Sequence, residues 1–301
     1  MPVLFVALVC LALVVPPAAA QAPPSVADAP LRTVDAGQGK IGYRSVGRGR
    51  PLVLIMGLAG TMDSWQPSFV NALAGHRRVI TFDNEGIRQT TLGPGTLTIR
   101  RMGEDVASLI RALRLRRPDV LGWSMGGMIA QSFAGRHPRL LRKLVLCATA
   151  PGNGRATFPN PDALSMTYEQ VLFAPGHDAA YQAWLRGIGS YPDSSPITSP
   201  ELRAAQLAAV VTWMAGRDPS GRPLSRIRKP VLVGGGALDP LLPVANQRYL
   251  GRALPNARLR IYPDAAHGFL FQYARGFAKR ILRFLRPNAL PRRTLPRTPR
   301  R

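Results

Sequence analysis

The chain has 301 residues, 46% of them hydrophobic, which is enough for a core of one large or two moderate domains. Its formal net charge is +24, and almost all of the basic residues are arginine. They are spread along the whole chain, which favours a solvated basic surface over a specific nucleic-acid site. Beyond the N-terminus no apolar run approaches the roughly 20 residues of a membrane-spanning helix, and no repeat of solenoid period occurs.

The first 22 residues have the composition of an export signal. The apolar run Val3–Val15 is too short to span a bilayer, and the small residues after it offer cleavage sites after Ala20 or Ala22. No Lys or Arg precedes the run, so an uncleaved anchor and a misplaced start are the alternatives. We expect a secreted or periplasmic protein. Removal of the signal would leave Cys147 as the only cysteine and would exclude an intramolecular disulfide.

A Pro/Ala-rich linker at 23–30 leads into the first part of a core domain, 31–150. Short apolar or alternating runs that predict strands are separated there by helical patterns. The predicted strands are Leu31–Asp35, Ile41–Val46, Pro51–Met56, Arg78–Phe82, Val120–Leu121 and Leu144–Ala148, and the predicted helices are Pro67–Ala74, Ile99–Leu115 and Met125–Arg136. This alternation is typical of an α/β fold with a mostly parallel sheet and helices on both faces.

The alternation stops after Pro151. From there to residue 229 prolines and glycines are frequent, and no strand is obvious. Two helical runs occur, at Asp178–Ile188 and Pro200–Met214. We therefore interpret residues 151–229 as a helical lid inserted into the core.

The second part of the core covers residues 230–286. It contains the predicted strands Val231–Gly236 and Ala257–Tyr262 and an amphipathic helix over Phe269–Phe284. The remaining residues, 287–301, form a Pro- and Arg-rich tail without acids, which we expect to be disordered because it has almost nothing to bury. Its charge suggests weak electrostatic contact with an anionic envelope.

The stretch Gly122-Trp-Ser-Met-Gly126 connects a predicted strand to a predicted helix. A serine in such a turn takes a strained backbone conformation, and the flanking glycines leave room for the tight crossing. This geometry lifts the hydroxyl of Ser124 clear of the sheet, at the positive end of the helix that follows. Ser124 is therefore predicted as a nucleophile.

Two residues that could activate this serine follow the last two predicted strands. Asp239 follows the first of them, and His267 follows the second. Because the carboxyl ends of parallel strands meet at one edge of the sheet, we expect both beside Ser124. His267 is predicted as the general base, and Asp239 as the carboxylate that fixes its tautomer. Asp264, three residues before His267, is the alternative acid, although a local turn suits its position better.

The serine turn, the order Ser, Asp, His and the inserted lid resemble the α/β-hydrolase superfamily over about residues 31–286. By that resemblance the backbone N–H groups of Leu58 and Met125 form the oxyanion hole, each stabilising the transition state by ~3 kcal/mol. The family's loop after the first buried strand reads His-Gly, whereas this chain has Met56-Gly57. The two donors are backbone groups, so this departure leaves them available.

A second departure from the family pattern lies at 83–90. Where family members often carry Asp-x-Arg-Gly-x-Gly-x-Ser, this chain has Asp-Asn-Glu-Gly-Ile-Arg-Gln-Thr. We expect Asp83, Glu85 and Arg88 to hold a turn without a chemical role.

The sequence predicts no metal and no cofactor. No cluster of histidine, cysteine or carboxylate has metal-ligand spacing, and the glycines at 234–236 open neither a phosphate-binding loop nor a dinucleotide fingerprint. His76 and His137 are expected at the surface or at a helix end, and His177 in the lid. Trp123 is expected to pack in the core rather than against substrate.

The lid is expected to select the substrate, because the serine turn and the oxyanion loop contact only the reacting carbonyl. It is rich in aromatic and apolar residues and has few acids. We predict that Trp184, Trp213 and Met214 bind substrate in an apolar cleft, where each buried methylene contributes about 0.8 kcal/mol.

These features together predict a serine hydrolase that cleaves uncharged short- to medium-chain carboxylic esters through an acyl-enzyme on Ser124. Proline iminopeptidase-like, lactonase and perhydrolase activities on the same triad stay open. Dehalogenase and epoxide hydrolase activities are disfavoured, because those members of the superfamily use an aspartate nucleophile. The alternative of another class is a catalytically silent ligand-binding protein on the hydrolase fold.

Overall fold

The computed structural model describes residues 25–37, 39–192, 198–221 and 224–286. The predicted export signal, 1–22, and the predicted tail, 287–301, lie outside these ranges. None of the helices within them is long and apolar enough to cross a membrane.

Eight strands of the described chain form one sheet. They are β1 (Arg32–Asp35), β2 (Lys40–Val46), β3 (Pro51–Ile55), β4 (Arg78–Phe82), β5 (Asp119–Trp123), β6 (Leu144–Cys147), β7 (Val231–Gly236) and β8 (Ala257–Tyr262). Their spatial order is β1-β2-β4-β3-β5-β6-β7-β8. β2 pairs antiparallel with β1 and β4, and the other neighbouring strands are parallel. The carboxyl ends of β3 to β8 therefore lie at one edge, as the α/β interpretation requires.

The α-helices of the described residues include two that the sequence pattern did not predict. In chain order the helices are α1 (Pro67–Ala74), α2 (Ile99–Ala112), α3 (Met125–Arg136), α4 (Tyr168–Leu172), α5 (Asp178–Ile188), α6 (Pro200–Met214), α7 (Ala245–Ala253), α8 (Phe269–Gln272) and α9 (Ala274–Phe284). The two that were not predicted are α4 and α7. Side-chain caps fix several of the starts. The hydroxyl of Thr98 accepts the Arg101 N–H of α2, and that of Ser199 accepts the Leu202 N–H of α6.

The sheet separates two apolar layers. Successive side chains of a strand point to opposite faces, and the central strands β3, β5 and β6 have fully buried apolar residues on both. One layer packs the sheet against α2, α3, α6 and α7. The other packs it against α1, α8 and α9. Covered on both faces, the central strands are held in place, and they set where the loops at their carboxyl ends begin.

The segment between β6 and β7 supplies α4, α5 and α6. As predicted for 151–229, its described residues contain no strand. Ala209 and Trp213 of α6 belong to one apolar layer, whereas Leu172 of α4 and Trp184 of α5 belong to the other. The insertion therefore reaches both faces of the sheet across its carboxyl edge.

Two helices end where the sequence pattern predicted continuation. α2 stops at Ala112 rather than Leu115, because Arg114 adopts φ 51° and the Leu115 N–H bonds back to the Ile110 carbonyl. The predicted C-terminal helix is divided into α8 and α9 at Tyr273, whose ring stacks on Tyr262 at 4.9 Å.

The described part of the predicted linker, 25–30, is packed rather than extended into solvent. Val26 and Ala29 are buried, and the Val26 N–H donates to Asn71 Oδ1 at 2.8 Å. The guanidinium of Arg44 donates to the Ala29 carbonyl. Composition predicted no partner for this segment, but the sheet domain supplies several.

Candidate functional site

The turn between β5 and α3 has the strained conformation predicted for a nucleophile. Ser124 adopts φ 57° and ψ −123°, which a non-glycine residue adopts only when its surroundings impose it. A Cβ atom on Gly122 would overlap the Gly126 carbonyl oxygen, and one on Gly126 would overlap the Ile55 carbonyl oxygen. Both flanking glycines are therefore required by close backbone crossings.

Backbone contacts hold Ser124 at the edge of the sheet. Its N–H donates to the Cys147 carbonyl of β6 at 2.9 Å, and its carbonyl accepts from Thr149 Oγ1 at 2.8 Å. The residue is half-buried and precedes the first turn of α3. The positive end of the helix dipole therefore lies at the serine.

Asp239 and His267 form a hydrogen-bonded pair at the same edge. The Nδ1 atom of His267 lies 2.8 Å from Asp239 Oδ2, and both side chains are buried. The other carboxylate oxygen accepts the N–H groups of Leu241 and Leu242 at 3.0 and 2.9 Å. An aspartate fixed in this way assigns the proton to Nδ1 and leaves Nε2 as the acceptor.

The loop that carries His267 is held from two sides. Trp123, the neighbour of Ser124, donates its indole N–H to the His267 carbonyl at 3.0 Å, and the two rings lie 5.2 Å apart. From the insertion, the Val171 carbonyl accepts the His267 N–H at 3.2 Å. Among the described residues no hydrogen bond joins Ser124 Oγ to His267 Nε2, and such bonds often tighten only when substrate binds.

Among the described residues, Asp264 forms no hydrogen bond or ion pair with His267. Its side chain is largely exposed and accepts a hydrogen bond from the hydroxyl of Tyr273. That hydrogen bond holds the pKa of Asp264 below its usual value. Of the two candidate acids, the structure pairs Asp239 with the imidazole.

The loop predicted to bind an oxyanion lies against Ser124. A Cβ atom on Gly57 would be 3.1 Å from the Ser124 Cβ. Within the described chain, the N–H groups of Leu58 and Met125 form no hydrogen bond and are free to donate. The loop is braced by Asn84, whose side chain donates to the Met56 carbonyl at 2.9 Å.

The turn at 83–90 forms a buried ionic network. Arg88 binds Asp83 at 2.8 Å and Asp63 at 2.7 Å, and Asp63 also binds Arg44 at 2.9 Å. Burial raises the pKa of Asp83, and Arg88 offsets this only in part. Glu85 pairs with Arg101 of α2. These contacts match the predicted turn-holding role.

The three lid residues predicted to bind substrate are all buried. Trp184 packs in an aromatic cluster with Phe173 and Phe271. Trp213 donates its indole N–H to the Ala150 carbonyl at 3.1 Å, and Met214 follows it in the same apolar layer. These contacts anchor the insertion to the sheet, and the substrate-binding role of the three residues stays a prediction.

The remaining histidines and Trp123 lie where the sequence predicted or close to it. His76 is exposed, His137 bonds Glu104 at the end of α3, and His177 lies edge-on to the Tyr273 ring. Trp123 is buried, as expected, but its link to His267 was not anticipated. The described residues contain no group of three or more metal-ligating side chains.

Comparisons with known proteins agree with this architecture. A family model described as alpha/beta hydrolase fold matches residues 50–200. The chain is 33% identical over 263 residues to a Mycobacterium tuberculosis protein named as the non-heme bromoperoxidase BpoC, an alignment that covers 81% of this chain and 97% of the relative. It is 29% identical over 244 residues to a poly(3-hydroxyalkanoate) depolymerase of Ectopseudomonas oleovorans, covering 78% and 84%.

A solved structure of the same fold also superposes on this chain. An alpha/beta hydrolase fold protein from Chitinophaga pinensis superposes with a TM-score of 0.78 at 31% sequence identity, covering 87% of this chain and 99% of the other. The similarity therefore extends over most of both chains.

Proposed function

The chain belongs to the α/β-hydrolase fold family, and from that membership we propose that it is a serine hydrolase of uncharged short- to medium-chain carboxylic esters. The observation that supports this most directly is the buried hydrogen bond between Asp239 and His267 at the edge where Ser124 occupies its strained turn. A serine hydroxyl needs such a base, because it is almost unreactive at neutral pH until its proton is removed.

In the proposed acylation step, Ser124 Oγ attacks the ester carbonyl carbon and its proton passes to His267 Nε2. Asp239 stabilises the imidazolium that results. The carbonyl oxygen becomes an oxyanion, which the N–H groups of Leu58 and Met125 bind. When the C–O bond to the leaving group breaks, the alcohol takes the proton from Nε2 and the acyl-enzyme remains.

Deacylation repeats the same steps with water. His267 Nε2 accepts a proton from water as the water oxygen attacks the acyl carbon, and the same two N–H groups hold the second oxyanion. Collapse of this intermediate breaks the bond to Ser124 Oγ, which regains its proton from Nε2 as the carboxylic acid leaves. No step requires a metal or a cofactor.

Ester substrates are supported by two further observations. Poly(3-hydroxyalkanoate), which the Ectopseudomonas relative is named for depolymerising, is a polyester. An aminopeptidase would need a carboxylate for the substrate ammonium. Asp218 caps α2 by accepting the Arg100 N–H and Glu201 is exposed at the start of α6, which leaves Glu169, half-buried beside a cavity with Leu238 and Pro240, as the carboxylate for that alternative. An apolar acyl chain needs no such partner.

A fluorophosphonate probe tests the proposed nucleophile. Wild-type protein should be labelled, and Ser124→Ala should not be, while retaining the same circular dichroism spectrum. A series of p-nitrophenyl esters beside a prolyl-arylamide tests the substrate class. We expect kcat/KM to rise over the first few acyl carbons and the arylamide to be poor. Preference for the arylamide would favour a peptidase on the same triad, and absence of labelling would favour a silent ligand-binding protein.

A second candidate is perhydrolysis, which is favoured by the relative named as a bromoperoxidase. Hydrogen peroxide would replace water in deacylation, so that the acyl group leaves as a peracid that oxidises bromide. Peroxide-dependent bromination in acetate buffer, lost in Ser124→Ala, is the expected result for this activity. Turnover of esters without bromination would exclude it.

The N-terminal sequence leads us to propose export, with cleavage after Ala20 or Ala22. Sequencing the N-terminus of the mature protein tests both sites.

A further inference from the structure

The insertion contacts the oxyanion loop through one fully buried side chain. Gln206, in the middle of α6, has no exposed surface, and its Oε1 accepts the Ala59 N–H at 2.8 Å. Ala59 directly follows Leu58, the proposed oxyanion donor. The carbonyl of Ala59 accepts a hydrogen bond from Thr198 Oγ1, also in the insertion, at 2.7 Å. Both polar groups of the Ala59 backbone are therefore bound by the insertion.

The loop needs external support because its conformation is unfavourable for its sequence. The Gly60 N–H bonds to the Gly57 carbonyl at 3.4 Å, which makes Leu58 and Ala59 the central residues of a tight turn. Ala59 adopts φ 60°, a conformation that favours glycine at this position of a turn. An alanine holds it only where the surroundings impose it.

The orientation of the glutamine amide follows from its partner. Ala59 offers an N–H donor, so the amide oxygen must face it and the amide nitrogen must point away. Among the described residues Nε2 has no hydrogen-bond partner, although it is buried. A buried amide left half-satisfied is unfavourable for stability, and such groups are common at functional sites.

We propose that Gln206 is a positioning residue, which holds the oxyanion loop in its active conformation from the inserted helix. This inference rests on the proposed function. The bond from the Ala59 N–H to Gln206 holds the turn that is closed by the bond from the Gly60 N–H to the Gly57 carbonyl. That carbonyl and the Leu58 N–H belong to the same peptide, so the Leu58 N–H keeps its orientation toward the oxyanion when the turn is held. Without Gln206 the turn relaxes toward conformations in which that donor is misplaced.

Gln206→Met tests the proposal, because methionine matches the shape of glutamine but cannot accept a hydrogen bond. We expect kcat on a p-nitrophenyl ester to fall at least ~10-fold with KM within about 2-fold, as for an interaction that acts in the transition state. Tm should change by less than about 4 °C, because the variant also removes the unpartnered Nε2. Gln182→Met, on the exposed face of α5, is the matched control and should keep wild-type kcat.

A double-mutant cycle separates positioning from a general effect on packing. Ala59→Gly removes the strain at φ 60°, so the turn should depend less on Gln206. The fold-decrease in kcat caused by Gln206→Met should therefore be at least ~3 times smaller in the Ala59→Gly background than in the wild type. If Gln206→Met does not fold, Thr198→Val removes the other tether and should lower kcat in the same way.

The outcomes are distinguishable from failure of the proposed function. If the wild type neither reacts with the fluorophosphonate nor cleaves esters, the hydrolase proposal fails. If the wild type is active and Gln206→Met keeps its kcat, the positioning role is refuted. A fall in kcat that is equal in the Ala59→Gly background also refutes it.

Discussion

Asp105 should make the protein less stable as pH rises, and Asp105→Asn should remove that effect. Asp105 lies on α2 beside Glu85, which is buried and already accepts hydrogen bonds from Arg101 and the Gly93 N–H. In the described structure Asp105 Oδ2 and Glu85 Oε2 have no hydrogen-bond partner when both groups are ionised, whereas a proton on Asp105 lets it donate to Glu85. Burial first, and the charge of Glu85 second, raise the pKa of Asp105 to about 7 from 3.8.

The direction in which stability changes with pH follows from the raised pKa of Asp105. The folded protein holds the Asp105 proton more tightly than the unfolded chain, so its contribution to stability is complete below about pH 4 and is lost as pH rises through about 7. A shift of about 3 pH units corresponds to about 4 kcal/mol. The two carboxyl groups border a cavity of about 420 Å³, and solvent screening in such an open site reduces the expected effect to roughly 2 kcal/mol.

Urea unfolding of wild type and Asp105→Asn at several pH values between about 4.5 and 8.5 measures how the contribution of Asp105 to the free energy of unfolding depends on pH. Asp105→Asn should match wild type at the acidic end and should be more stable by roughly 2 kcal/mol at pH 8, since its amide can donate to Glu85 Oε2. Glu104→Gln should show the opposite sign, and because the charge of Glu104 also raises the pKa of Asp105, it is measured in the Asp105→Asn background. Burial raises the pKa of Glu104, but its contacts with Arg136 and His137 outweigh burial and lower it. A stability difference between wild type and Asp105→Asn that does not vary with pH would refute the reasoning.

Three further predictions concern the turn, the triad and the tail. Gly126→Ala should yield no soluble protein, because its Cβ would overlap the Ile55 carbonyl, whereas Gly135→Ala on the same helix has open space and should fold normally. Ser124→Ala or His267→Ala should lower kcat at least ~10³-fold with the fold intact, and Asp239→Ala somewhat less; an active Asp239→Ala would move the acid role elsewhere. Deletion of 288–301 should leave kcat/KM on a soluble ester unchanged, and unchanged binding to anionic vesicles at low salt would exclude adhesion through the tail.

The sequence pattern predicted the strands and helices that are determined by residues near one another in the chain. The buried runs at β3, β4 and β7 and the periodic stretches at α1, α3 and α6 were correctly bounded to within a residue. The division at Tyr273 and the packing of residues 25–30 could not be predicted, because both depend on partners distant in sequence. Tyr273 stacks on a residue of β8, and Val26 bonds to Asn71 of α1.

The candidate site also divides into features that depend on local sequence and features that depend on distant partners. The positions of Ser124, Asp239 and His267 at one edge of the sheet could be predicted, because each of them follows the end of a predicted strand. The contacts that hold them were not predictable. Trp123 precedes the serine, but its bond to the His267 carbonyl joins residues 144 apart, and the bond from Ala59 to Gln206 spans 147. Nothing in the residue type of a mid-helix glutamine distinguishes it from a surface residue.

These long-range bonds change what the insertion is expected to do. If it only covered the site, differences in its sequence would alter which acyl chain binds and would leave the chemistry of the carbonyl untouched. In this fold α4 accepts the N–H groups of His267 and Gly268 through Val171 and Leu172, and α6 accepts the Ala59 N–H through Gln206. The two loops proposed to carry the base and an oxyanion donor are therefore both held by the inserted helices. Because catalysis depends on placing such groups to within a fraction of an ångström, exchanging this segment between relatives should change kcat as well as KM.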